Sequence, residues 1–398
     1  EENFKLMKEE TMKEAAPLFD DEFIGEPPTK RVFSFLQSQR EQGVPVAGLY
    51  CSYAPIELLH AMNVKPALLC AFANSTIEKA EEVLPANLCP LIKSSYGFIK
   101  SDTCPFFGIS EVVIGETTCD GKKKMFELIG NERPLWVMDL PQLPDHKEAI
   151  DNWTVMIRKL QKFLENSFDR SIDDKAIEAS IQDMNKKCDA MDEIFSYAAL
   201  EPPVISWKEL YDIIFLAMPA TFEELEPRLL EIIEKLEKRR EGGYSSADPG
   251  APRVMVTGSP VGGDATKIFN IIEESGGVVV ALDSCTGMKA FAARAEESTK
   301  DPVRSLSEKY LGIPCSCMTP NDKRLEVTDE IIERFKPDVV IDFVLHACHS
   351  YNIESHKVGQ HVKKKHGLPF LKIVSDYSEG DVGQIKTRVE AILDTVKR

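Results

Sequence analysis

What the chain lacks narrows it first. No apolar run approaches the ~18–20 residues that cross a bilayer. The opening stretch EENFKLMKEETMKEAAPLF is charged and has no apolar centre of the kind a secretory leader needs. The expectation is a cytoplasmic protein with no membrane contact. Positive charge is in deficit: 48 Lys and Arg face 65 Asp and Glu, a net charge of −17. That argues against non-specific nucleic-acid binding, which rests on neutralising phosphates. No C-x2–4-C pair occurs, so the usual spacing of structural zinc sites is missing. The closely spaced cysteine run of ferredoxins is missing too. Neither G-x4-G-K-[ST] nor G-x-G-x-x-G is present, which leaves no ATP or dinucleotide fingerprint.

Cysteine, by contrast, is plentiful: 10 in 398 residues. In a reducing compartment these thiols point to a metal or iron–sulfur site rather than to disulfides. Most stand where an expected strand ends. Cys51 closes PVAGLYC, Cys119 closes VVIGETTC, Cys285 closes VVVALDSC and Cys348 closes VVIDFVLHAC. The carboxyl ends of parallel strands are where α/β sheets bind ligands.

Strand–helix alternation with near-continuous apolar strands predicts an α/β fold with parallel sheets. An N-terminal helical segment is expected over 1–42 and a first α/β domain over 43–148. Helical spacing of Trp153, Met156, Ile157, Leu160 and Leu164, and again of Leu225, Leu229, Ile232, Ile233 and Leu236, marks a helical block over 149–240. Thr221 and Glu224 resemble a capping box, with Pro227 close behind. The Gly-, Ser- and Pro-rich stretch 241–252 reads as a linker, and a second α/β domain follows over 253–398. Cys119-Asp-Gly-Lys-Lys and Cys285-Thr-Gly-Met-Lys share C-x-G-x-K, which suggests two similar halves facing a cleft.

Cys89, Cys119 and Cys348 each precede a helical run, where the helix dipole and free N–H groups favour a thiolate. Pro90, after Cys89, is a residue favoured at the first helical position. Cys51 and Cys285 stand at strand ends without an evident cap. Cys315 and Cys317 form C-S-C, which in a strand would put both thiols on one face. Cys70, Cys104 and Cys188 are expected to be structural. His349 beside Cys348 is the candidate catalytic proton donor. His356, His361 and His366 are expected on a solvated, Lys-rich helix. Lys93, Ser94, Ser95, Tyr96, Lys122 and Lys123 are expected on solvated faces within reach of the thiols. The segment GSPVGGDATK, 258–267, reads as a tight turn rather than an anion cradle.

Several segments carry a resemblance. NLCPLIKSSYGF, VVIGETTCDGKKKMFEL, DSCTGMK, ACHSYNIES and SDYSEGDVGQIKTRVEAIL resemble the 2-hydroxyacyl-CoA dehydratase and benzoyl-CoA reductase family, over roughly residues 35 to 398. LYCSY, DTCPFF and IPCSCMTPN are most similar to its double-cubane cluster proteins. The resemblance implies two flavodoxin-like domains facing a cleft, plus helices, in a homodimer. It implies a double-cubane [8Fe-9S] cluster with three cysteine ligands per cubane and no further cofactor. It also implies an ATP-hydrolysing iron–sulfur reductase as electron donor and small-molecule substrates such as acetylene, azide or hydrazine. Cys89, Cys119 and Cys348 fall on the ligand positions of one cubane. Cys51, Cys285, Cys315 and Cys317 compete for three places on the other. The alternative is a 2-hydroxyacyl-CoA dehydratase subunit, a lyase with a single [4Fe-4S] cluster. A carrier of electrons with no substrate of its own is the third reading.

Overall fold

The computed structural model describes residues 17–19 and 27–397. Most of the expected N-terminal helical segment lies outside the described residues. Its described end is α1 (Pro28–Glu41). There follow β1 (Val46–Leu49), α2 (Ile56–Ala61), β2 (Lys65–Leu68), α3 (Ile77–Glu81), α4 (Pro90–Lys100) and α5 (Pro105–Ile109). Next come β3 (Val112–Glu116), α6 (Asp120–Ile129) and β4 (Leu135–Met138). Four helices interrupt the alternation: α7 (Ala149–Phe168), α8 (Asp174–Ala199), α9 (Trp207–Ala217) and α10 (Phe222–Glu241). The second half runs β5 (Arg253–Gly258), α11 (Lys267–Glu274), β6 (Val278–Asp283), α12 (Pro302–Leu311), α13 (Asp322–Phe335) and β7 (Val339–Leu345). It ends with α14 (His349–His361), a π turn (Val362–His366), β8 (Phe370–Ser375) and α15 (Val382–Asp394).

The strands form two four-stranded parallel sheets, β2-β1-β3-β4 and β6-β5-β7-β8. The α/β fold class and the two similar halves are as the sequence leads one to expect. The C-x-G-x-K match, however, is out of register between them. Cys119 follows the third strand of its half, whereas Cys285 follows the second strand of the other. By position in the sheets, Cys119 pairs with Cys348, and Cys70 with Cys285. The strand order reverses beside β1 and β5, and such switch points open a crevice at the carboxyl ends.

Alternation along the first sheet divides two cores. Val46, Tyr50 and Val113 face a core that continues through the second sheet. Ala47, Leu49, Val112 and Ile114 face a second core made with α7, the start of α8 and α12. The long α8 joins both: Ile177 and Ile181 enter one core, Met184 through Ala198 the other. The capping box of Thr221 and Glu224 is formed, and Pro227 sits inside that helix. Gly258, at the end of β5, has φ +113°, and a Cβ there would lie 2.3 Å from Phe343 O. Only glycine lets the chain turn so close to the neighbouring strand.

One buried ionic contact fastens α12, from the second half, to the first. Glu57 on α2 is fully buried and accepts from Lys309 Nζ at 2.7 Å and Tyr310 Oη at 2.6 Å. Tyr310 Oη in turn accepts from Ile56 N at 3.1 Å. Removing one partner of such a pair strands a buried charge, at a cost of roughly 3–5 kcal/mol. Glu57→Ala is therefore expected to lower unfolding free energy by about that amount in urea titration. Glu57→Leu combined with Lys309→Met should recover most of the loss, and a double variant no better than the single one contradicts this.

Candidate functional site

Cys89, Cys119 and Cys348 are the N-cap residues of α4, α6 and α14. First-turn N–H groups have no helical acceptor, and their partial positive charge lies beside these sulfurs. Cys119 Sγ accepts from Lys122 N at 3.4 Å. The side chains of Cys89 and Cys348 make no cap hydrogen bond, but the nearby Leu91 and Ile92 N–H groups help lower the Cys89 thiol, and the Tyr351 N–H opposes the rise at Cys348. The thiols of Cys89, from the first half, and Cys348, from the second, are close neighbours. Their mutual interaction is the main reason the Cys89 thiol is lowered and the Cys348 thiol raised. Ser259 also hydrogen-bonds Cys348, and the charge of Cys119 is felt at Cys89. Three helix N-termini from both halves thus converge on one place, as their sequence positions suggest.

A second group lies beside it. Burial pushes the Cys51 thiol up, Lys122 opposes this, and Glu116, Cys285 and Cys315 add to it. Burial likewise raises Cys285, against Lys289, and Ser52 hydrogen-bonds its sulfur. Cys315 is lowered to about 5, first by its hydrogen bond with Cys317, whose own thiol that bond raises. The C-S-C segment is a turn, closed by Met318 N on Cys315 O at 3.0 Å, and not the strand that alternation suggests. Cys315 therefore senses Lys289 and Lys122, while Cys317 lies 3.8 Å from Tyr53 Oη. Although the turn belongs to the second half in sequence, it is held by the first. Tyr53 Oη donates to Ile313 O at 3.1 Å, and Thr319 N to Gln142 O at 2.8 Å.

Two buried ammonium groups face these thiols. Lys122, expected on a solvated face, is only 8% exposed, and its Nζ donates to Tyr50 O at 3.0 Å. Burial alone would lower its pKa. The charges of Cys51, Cys70, Cys119 and Glu116 outweigh that and raise it. Lys123 is the solvated neighbour, paired with Asp120 at 2.8 Å. In the second half Lys289 is buried, 3.5 Å from Asp283 Oδ1, and Asp283 is also held by Arg324 at 2.8 Å. Glu116 is pushed up to about 7 by burial, with Lys122 and the Ala54 N–H opposing. Among the described residues nothing hydrogen-bonds Glu116 Oε2 or Tyr351 Oη, both buried at this site.

The remaining sequence candidates fall as follows. Cys70 is not simply core: its Sγ donates to Tyr50 O at 3.0 Å, and it senses Lys122 and Cys285. Cys188 is buried in the core, and Cys104 caps α5, its sulfur accepting from Phe107 N. His349 is exposed in the first turn of α14. Lys93, Ser94 and Ser95 are buried rather than solvated. Lys93 Nζ meets Glu81 and Ala86 O, each at 2.7 Å, and the two serines accept from Ala73 N and Ala71 N. In the 258–267 segment, Asp264 N donates to Phe72 O at 2.8 Å and Asn74 N to Asp264 Oδ2 at 2.7 Å. This turn locks the halves together. His361 and His366 are half-buried and converge on Asp329, contrary to the solvated placement, whereas His356 is exposed as expected.

Sequence reasoning named Lys122 but not its burial, and it missed the roles of Lys289, Glu116 and Ser259. The signal for Lys289 is the C-x-G-x-K motif itself. In the first half the lysine one position earlier, Lys122, takes the buried role.

A family model described as "2-hydroxyglutaryl-CoA dehydratase, D-component" matches residues 51–396. The "Putative dehydratase subunit YjiM" of Escherichia coli (strain K12) is 39% identical over 365 residues, covering 91% of this chain and 94% of that protein. On these two matches the chain belongs to the 2-hydroxyglutaryl-CoA dehydratase D-component family, and its role is enzymatic.

Proposed function

We propose that this chain is an iron–sulfur reductase. In this reading it holds a double-cubane [8Fe-9S] cluster at the thiol site and reduces small molecules such as acetylene, azide or hydrazine. Low-potential electrons come from an ATP-hydrolysing iron–sulfur reductase, and the chain works as a homodimer in the cytoplasm. The observation that supports it is the second thiol group, Cys51, Cys285 and Cys315, set beside Cys89, Cys119 and Cys348 with Lys122 between them.

The residues present fit such a group. Thiolates are the donors of four-iron clusters. Two buried ammonium groups, Lys122 and Lys289, suit an anionic occupant, because unpaired charge is costly inside a protein. Cys89, Cys119 and Cys348 would hold one cubane, and Cys51, Cys285 and Cys315 the other. Cys317 would support Cys315 through their hydrogen bond. Bound there, the cluster stores and passes electrons. Ser52, Ser259 and the helix N-termini orient the sulfurs, as outer-shell hydrogen bonds do at metal sites. The proton for a reduced substrate is assigned to His349, exposed beside Cys348.

A second reading is a dehydratase subunit, a lyase with one [4Fe-4S] cluster. It is favoured by both matches, since the family and the Escherichia coli relative are named as dehydratases.

Anaerobic analysis of iron and sulfide separates the two. The reductase reading expects about eight irons per chain, and acetylene turnover with the reductase and ATP. About four irons, no acetylene turnover and dehydration of a 2-hydroxyacyl-CoA would establish the second reading instead. The chain alone is expected to bind no ATP in calorimetry, and micromolar binding without the partner contradicts the division of labour.

Ligand assignment has its own test. Cys51→Ser is expected to abolish acetylene reduction and leave a four-iron signal in the EPR spectrum. Cys104→Ser and Cys188→Ser should keep full iron, and Cys317→Ser should lose less than Cys315→Ser. Equal loss in Cys315→Ser and Cys317→Ser would overturn the supporting role of Cys317.

A further inference from the structure

Away from the thiols, a cluster of imidazole and carboxylate groups takes no part in the reading above. His361 is the last residue of α14, and His366 ends the π turn that follows. On a continuous α-helix, residues five apart point about 140° away from each other. The wider π turn removes that offset. Both Nε2 atoms reach the same atom, Asp329 Oδ1 on α13, at 2.7 and 2.6 Å. The ligand atoms of the three residues all lie within 4.8 Å of one another. Their side chains are 14%, 21% and 12% exposed for Asp329, His361 and His366, sheltered yet open to solvent. Lys365 Nζ occupies the other oxygen, Oδ2, at 2.6 Å.

We propose that Asp329, His361 and His366 form a binding site for one divalent transition-metal ion of the Zn2+ type, separate from the thiol site. Two imidazole nitrogens and one carboxylate oxygen make up a zinc donor set that leaves a fourth position for water. Imidazole donors suit the later first-row ions. An ion about 2.0–2.1 Å from each donor would hold the donors roughly 3.3 Å apart, so the rings need to withdraw by about 0.6–0.7 Å. Each neutral ring moves its proton from Nε2 to Nδ1, and the freed Nε2 lone pair binds the ion. The ion would clamp α13 to the end of α14, about 20 Å along the helix from Cys348. Lys365 opposes it: its ammonium takes one carboxylate oxygen and repels a cation.

The test is anaerobic titration of the full chain with Co2+, followed by visible and near-ultraviolet absorption. Cobalt on cysteine gives sulfur-to-metal charge transfer; cobalt on imidazole and carboxylate does not. One equivalent is expected to bind with visible ligand-field bands and no sulfur charge transfer. His361→Gln and Asp329→Asn should each remove that component. Lys365→Gln, a change at an exposed side chain, should move the other way and tighten it roughly five- to tenfold. No sulfur-free component, its persistence in His361→Gln, or weaker binding in Lys365→Gln would overturn the proposal. Iron content at the thiol site bears on none of these outcomes.

Discussion

Lys122 carries a positive charge into the interior of this molecule. Its Nζ donates to Tyr50 O at 3.0 Å, and the groups that can offset its charge are Cys51, Cys70, Cys119 and Glu116. An unpaired ammonium so deeply buried costs several kcal/mol. The cleft is therefore stable when negative charge sits beside Lys122, whether on ionised thiols or on an anionic group bound to them. Lys289 repeats the arrangement near Cys285 and Cys315, with Asp283 as its partner. Two fixed cations among thiols distinguish this place from an ordinary buried cysteine cluster, whose thiols burial would simply keep protonated.

The architecture explains how the thiols gather. Both sheets share one strand order, so each half presents the loops after its first three strands at one edge. Cys119 and Cys348 stand at matching positions there, as do Cys70 and Cys285. The match then breaks. Cys51 follows β1, whereas the corresponding place after β5 is Pro260. The second half compensates with Cys315, on a turn that α12 carries across to the first half through Lys309, Tyr310 and Glu57. The second thiol group thus depends on a contact between the halves that a single flavodoxin-like unit could not make.

Local rules explain which parts were legible beforehand. The strands were visible because parallel strands buried on both faces are nearly continuous apolar runs. The caps at Cys89, Cys119 and Cys348 were visible because a helix start leaves signals within a few residues, such as Pro90. Lys122 and Lys123 are adjacent on α6, and only packing decides which is turned inward. The C-S-C turn depends on where α12 docks, some two hundred and fifty residues from Glu57 in sequence. The pairing of His361 with His366 needs a π turn, and α-helical spacing argues against it. Each miss is a tertiary choice made between locally equivalent options.

The central claim is that one cleft, with Lys122 at its middle, receives iron from thiols of both halves. Anomalous scattering at the iron edge, from crystals grown without oxygen, tests it most directly. The account predicts iron bounded by Cys51, Cys89, Cys119, Cys285, Cys315 and Cys348, with Lys122 Nζ alongside. Iron confined to Cys89, Cys119 and Cys348, with Cys51, Cys285 and Cys315 left as free thiols, would contradict it.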